Sequence, residues 1–339
     1  MPARLASKGG IQGQGGGPLF PDLTAPPTPP QAGTVAAMDL VHWSDRPVLR
    51  RPLFVIAFEG WNDAGDAATL ALDYLAQQWN ATPCATIDPE EFYDFTVTRP
   101  VVRRTSAVDR EIEWPHVELL AAEVPGSGHD MLLLRGVEPQ LRWRTFCEAV
   151  VSIVSTMGAE LVVVLGSMLA DVPHTRPVRV SGTTTDVDLA RRVGLATPTY
   201  EGPTGIVGVL LDALRRAGLP AASFWAAVPH YVHQMPSPKA ALALVERSAV
   251  LLGAPFDPRA LRVAADEYER QVSERVADDE DAAAYVAQLE DAEDYETGVG
   301  EDDVARSGET ESAGRLRLAT ADELAADVER FLRDHRREE

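Results

Sequence analysis

Four polar, glycine-rich segments hold the side chains of this chain best suited to chemistry: EGWNDAGD at 59–66, GSMLADVPHTR at 166–176, YEGPTG at 200–205 and PHYVH at 229–233. They bring carboxylates (Asp63, Asp171, Glu201), imidazoles (His174, His230, His233), a serine after a glycine (Gly166-Ser167) and a guanidinium (Arg176). A nucleophile elbow needs G-x-S-x-G, and here Ser167 follows Gly166 directly while Leu169-Ala170 supplies no second glycine. A zinc site built on His230-x-x-His233 with Asp171 or His174 lacks the i, i+4 helical spacing of H-E-x-x-H. The helix starts at Asn62-Asp63 and Thr204-Gly205 offer free backbone N–H groups to an anion, yet neither carries a phosphate-loop pattern, and the first is itself acidic. The residues therefore suggest no catalytic set, no cofactor and no metal. Two readings stand for Asn62, Asp63, Asp171, His174, Arg176, Glu201 and Thr204: a network that ties loops together, or the lining of one shared cleft. In such a cleft Arg176 would clamp Asp171 or a ligand carboxylate bidentately, and His174 would change charge near neutral pH.

Each of these segments lies just after an expected strand or at the mouth of the helix that follows. Residues 52–58 (PLFVIAF) form a short apolar run rich in β-formers and stopped by Gly60, which predicts a buried strand. A helix follows, with Asp63 as cap, Asp66 in its first turn, and Ala67, Ala71, Tyr74, Leu75 and Gln78 on one face. Strands are expected over 84–87, 101–105, 118–124 and 130–134. A helix over 140–157 feeds the continuously apolar 160–165, the mark of a sheet covered on both faces. Helices over 186–193 and 204–217, the second capped by Thr204 and stopped by Gly218, precede a last strand at 223–228. If these strands are parallel, right-handed crossovers bring the four loops to one edge. Ser237-Pro238 and Asp257-Pro258 then start helices over 238–252 and 258–276, and a further helix is expected over 282–295.

The α/β core so read spans 47–255. Before it, residues 1–46 (GGIQGQGGG, TAPPTPPQ) have the composition of a disordered tail; after it, 256–339 forms an acidic helical extension with a flexible linker at about 296–319. The extension ends in a helix with the capping box Thr320-x-x-Glu323 and the stripe Leu324, Val328, Phe331. Of the net charge of −21, residues 257–339 contribute −15, with 26 acidic and 11 basic side chains. That field repels phosphate backbones and anionic lipid, so neither nucleic acid nor membrane is an expected partner. Apolar runs fall far short of the roughly 20 residues of a membrane span, and no signal-peptide pattern opens the chain, so a soluble cytoplasmic protein is expected. Cys84 and Cys147 read as buried small hydrophobes.

The same segments resemble the bacterial branch of the proteasome assembly chaperone 2 family: FEGWNDAGDAAT at 58–69, LGSMLADVPHTRPVRVSGT at 165–183, YEGPTGIVG at 200–208 and WAAVPHYVHQMPSPKA at 225–240, in order and at fitting distances over about 48–275. The resemblance implies a three-layer α/β/α core with a mostly parallel sheet, similar to nucleoside phosphorylases, plus a helical C-terminal extension. It also implies self-assembly and proteasome α-subunits as partners; the Leu324, Val328 and Phe331 stripe, which has to be buried on the core or a neighbouring subunit, favours a homo-oligomer such as a trimer. Archaeal relatives dock through a C-terminal hydrophobic-Tyr-any tripeptide, whereas this chain ends Arg337-Glu338-Glu339. A non-catalytic, protein-binding chaperone is thus the leading functional expectation. Its rivals are a small-ligand-binding protein and a phosphorylase- or hydrolase-like enzyme using the cleft at the strand ends.

Overall fold

The computed structural model describes residues 37–303, apart from 107, 185, 187, 188, 192–194 and 197–199. An eight-stranded sheet has the order β1 (Val41–Trp43), β3 (Thr82–Ile87), β6 (Val117–Ala122), β7 (Met131–Val137), β2 (Leu53–Glu59), β8 (Leu161–Ala170), β10 (Ala221–Pro229), β9 (Val180–Thr184). Its centre, β7-β2-β8-β10, is parallel, and the flanking strands pair antiparallel. Strands β3, β7, β2, β8 and β10 run the same way, so their carboxyl ends share one edge. The central strands are apolar without alternation because both faces are covered. Phe54, Ile56, Leu132 and Val164 pack under α2 (Trp143–Met157) and α3 (Ile206–Arg216). Val55, Leu133, Val163 and Phe224 pack under α1 (Ala67–Gln78) and α4 (Pro238–Leu252). This is the expected α/β fold of three layers.

Outside α4 lie α5 (Arg259–Ala277) and α6 (Glu280–Asp303). α4 begins as its sequence dictates, with Pro238 in the first turn, Ser237 Oγ accepting from Ala240 N at 3.3 Å, and a left-handed Gly253 at its end. No helix among the described residues is long and apolar enough to cross a membrane. Cys84 and Cys147 are buried and free, their thiols pushed up by burial to about 11 and about 12.

Several expectations need correction. Residues 37–43, expected within a disordered tail, are ordered: a short 3-10 turn leads into β1, which pairs with β3, and Leu40 and Val41 are buried. Residues 101–105 are not a core strand, since β4 (Val101–Arg104) pairs only with β5 (Arg110–Glu113) in a separate two-stranded ribbon. β8 runs five residues past the expected end at 165, and α6 continues through 296–303, where a linker was expected. Thr204 does not cap α3: Gly205 holds that position, and the N–H of Ile206 donates to Glu138 Oε1 at 2.9 Å instead. The expected helix over 186–193 lies partly, and the C-terminal helix and the linker from 304 wholly, outside the described residues.

Candidate functional site

The loops after β2, β8 and β10 lie at the carboxyl edge together with the loop after β7, and the expected residues there fall into two clusters. Asn62 and Asp63 belong to the first. Asp63 is 6% exposed and closes the N-terminal end of α1: its Oδ1 accepts from Ala68 N at 2.6 Å, and its Oδ2 from the Thr69 hydroxyl at 2.5 Å. Ser167 on β8 donates to Ala64 O at 2.9 Å and stands 3.3 Å from Asp63 Oδ1, while its N–H donates to Asn62 O. Burial drives the Asp63 carboxyl up to about 6 against the pull of these hydrogen bonds. Asn62 Nδ2 donates to Glu138 Oε1 at 2.9 Å, the same oxygen that caps α3. The Asn62 amide fills the space a side chain at 205 would need, since a Cβ on Gly205 would stand 2.5 Å from Oδ1. The anion position at the start of α3 is thus already held by the chain's own Glu138.

Asp171, His174 and Arg176 form the second cluster, and each reaches towards the outer helices. His174 is 3% exposed; its Nδ1 lies 2.8 Å from the Tyr231 hydroxyl and its Nε2 3.0 Å from the Ser273 hydroxyl on α5. Burial, helped by the Lys239 ammonium, lowers its pKa. Lys239 Nζ binds His174 O and Glu269 Oε2, both at 2.5 Å. Arg176 grips Asp294 on α6 through Nε at 3.0 Å and Nη2 at 2.7 Å rather than Asp171. Asp171 instead faces His230 at 3.0 Å, with the Tyr285 hydroxyl at 3.4 Å. Edge-to-face contacts link His230, Tyr231 and Tyr285 into one aromatic stack.

Loop 60–66 meets the second cluster through Ser237, whose N–H donates to Gly65 O at 2.7 Å. Gly65, at φ 59°, is required there: a Cβ would stand 3.1 Å from Ser237 Cβ and 3.2 Å from Met235 O. Among the described residues no hydrogen bond or ion pair joins Thr204 or Glu201 to Asp171, His174 or Arg176; both of the former are exposed. The crevice beside His174, Arg176, Lys239 and Tyr268 measures about 10 Å³, room for about one water. Gly166 serves packing, not an elbow, because a Cβ there would lie 2.7 Å from the Trp225 ring on β10. No trio of metal-ligating side chains gathers among the described residues.

Glu138, Tyr231, Lys239 and Tyr285 carry much of this edge and were not singled out from sequence; of these, Tyr231 lay within a flagged motif and Lys239 next to an identified helix start. The edge also presents Trp61, Leu169 and Tyr200 to solvent, 70%, 41% and 55% exposed.

A model of the PAC2 family matches residues 57–276. A PAC2 family protein from Streptomyces avermitilis is similar at 48% identity, over 69% of this chain and 99% of that one, with a TM-score of 0.65. A proteasome-assembly chaperone homologue from Mycobacterium tuberculosis follows at 47% identity, 69% and 99% coverage and a TM-score of 0.64. A protein of unknown function from the same organism aligns at 27% identity over 78% of this chain and 92% of its own, with a TM-score of 0.70. No curated protein matches.

Proposed function

The chain belongs to the PAC2 family, and from that premise we propose that it is a proteasome-assembly-chaperone-like protein, a non-catalytic, homo-oligomeric binding module of the cytoplasm whose partners are proteasome α-subunits. The observation that carries this reading is how the site's polar groups are used. Asp63, Glu138, His174, Lys239 and Arg176 are engaged by neighbours within the chain, and the crevice among them is water-sized. The same edge leaves Trp61, Leu169 and Tyr200 exposed, and large aromatic side chains are the usual anchors of protein–protein contacts. Such an edge suits a protein surface better than a small molecule. The similarity to a mycobacterial proteasome-assembly chaperone homologue supports the partner class.

Co-expression with proteasome α-subunits of the same host, followed by native mass spectrometry, tests the reading. The expected result is a complex with unassembled α-subunits that Trp61→Ala with Tyr200→Ala removes while the fold is kept. Absence of any complex at micromolar concentration removes the chaperone assignment.

A further inference from the structure

The β4–β5 ribbon projects from the same edge, between β3 and β6, and all eight of its strand residues are exposed. Its register places Val102 opposite Ile112 and Arg104 opposite Arg110, so one face carries an apolar pair followed by a pair of guanidinium groups. The other face carries Val101, Arg103, Glu111 and Glu113 and is closed by the Arg103–Glu113 ion pair at 2.5 Å. At the base, Phe95 and Trp114 meet edge to face at 4.8 Å. A two-stranded ribbon is marginal in water by itself. Val102 and Ile112 are nevertheless 59% and 53% exposed. This face has the make-up of one that is covered by an acidic, partly apolar surface.

The chain itself has such a surface. A groove of about 650 Å³ opens between the 231–235 loop, the end of α5 and the start of α6, lined by Tyr231, Met235, Val272, Val276, Ala282 and Tyr285, with Arg275 and Asp279 as its charges. Four consecutive acids, Asp278 to Asp281, border it and are exposed. The acidity of the groove side extends well beyond that run: residues 257–303 hold 17 acidic and four basic side chains, whereas 97–113, the ribbon and its approach, hold four arginines against three acids. Ribbon and groove also stand at the same sheet edge on opposite flanks, four strand positions apart, or about 19 Å at the usual spacing. A plug on one flank and a different socket on the other make a head-to-tail contact, which closes into a ring when the rotation between copies permits.

We propose that the β4–β5 ribbon is the docking element of a head-to-tail homo-oligomer. Its Val102–Ile112 face sits in the groove between the 231–235 loop and α5–α6 of a second copy, and Arg104 and Arg110 lie against that copy's acidic 278–281 run. The inference rests on the self-association included in the proposed function and names the surfaces that produce it.

Sedimentation velocity at micromolar concentration tests it with two variants of the full chain, each checked for native circular dichroism: Val102→Asp with Ile112→Asp in the ribbon, and Asp281→Arg with Ala282→Arg in the groove. Wild type is expected to sediment as an oligomer and each variant alone as a monomer. An equimolar mixture of the two variants should give a heterodimer, because only one intact ribbon–groove pair remains. Should the aspartate pair disturb the fold, Arg104→Glu with Arg110→Glu takes its place with the same expected loss. A folded ribbon variant that keeps the wild-type oligomer, or a mixture that stays monomeric, overturns the assignment but leaves self-association standing. A monomeric wild type overturns both, while α-subunit binding is still decided by co-expression. A ribbon variant that keeps its oligomer but loses the α-subunit complex makes the ribbon a partner's docking element, and the inference falls.

Discussion

The cluster of Asn62, Asp63, Glu138 and Ser167 lies within the core, where each polar group closes the end of a helix or fixes a strand. The cluster of Asp171, His174, Arg176 and His230, one loop away, spends its polar groups across a boundary, onto Ser273 of α5 and Tyr285 and Asp294 of α6. The two have similar composition and the same position after a parallel strand. They differ in burial, His174 apart, which is as buried as Asp63, and burial decides what a polar side chain contributes: inside, an unmet backbone N–H costs about 1–3 kcal/mol, while an exposed ion pair adds little. One cluster holds the core together; the other clasps the outer helices to it.

The strongest way to break that contrast is Asp63→Ala, which leaves the N–H of Ala68 and the hydroxyl of Thr69 without the carboxylate they donate to inside the core. A loss of about 2–4 kcal/mol is expected, measured as a shift of the urea midpoint at constant slope. His174→Ala should cost less, about 1–2 kcal/mol, since the Tyr231 and Ser273 hydroxyls it frees lie nearer the boundary. Hydrogen exchange should localise that loss to α5 and α6, leaving β2 and β8 protected.

Acidification sharpens the contrast because the two titrating groups oppose each other. The folded state raises Asp63 to about 6, so its contribution is greatest below the unfolded carboxylate value of about 4 and is lost as pH rises through 6. The folded state lowers His174, so its contribution is full above the unfolded value of about 6.5 and is lost as pH falls. Between about pH 4 and 6.5 wild-type stability should therefore vary weakly. Asp63→Asn should fall more steeply with acid, and His174→Gln should gain stability as pH is lowered, both read from urea titrations across that window. Asp257 and Glu267, held at about 2 by Arg259 and Arg270, act mostly below the window. The smallest effect is expected for Arg176→Ala, whose pairing with Asp294 is solvent-screened: the midpoint should not move measurably, and the end of α6 should exchange faster.

Where packing follows sequence period, the elements were legible. PLFVIAF became β2, Ser237-Pro238 started α4, and Gly158 ended α2 in a left-handed turn. That the segments after β2, β8 and β10 share one edge was legible too, since parallel strands leave few alternatives, whereas the loop after β7 was not anticipated. Their division into two clusters was not, because it depends on Glu138 reaching α3 and on α5 and α6 folding back over the edge, both contacts distant in sequence. β8 outran its apolar run because Gly166 makes room for Trp225 from β10, a cross-strand fit that no local pattern announces. Val101–Arg104 shows no alternation, and such a segment does not reveal that it leaves the sheet altogether.

Only two lysines occur in the chain, Lys8 and Lys239, and Lys239 is the sole one among the described residues. Its ammonium is clasped by Glu269 and the His174 carbonyl, with the side chain 16% exposed. Acylating reagents, amine cross-linkers and enzymes that tag lysine therefore meet a nearly blank surface over residues 37–303. Modification of Lys239 has to wait until α5 lifts from α4. The rate at which an N-hydroxysuccinimide ester labels that one nitrogen then reports how often the outer helix opens, readable by mass spectrometry of the peptide that carries Lys239, which separates it from Lys8 and the N-terminal amine.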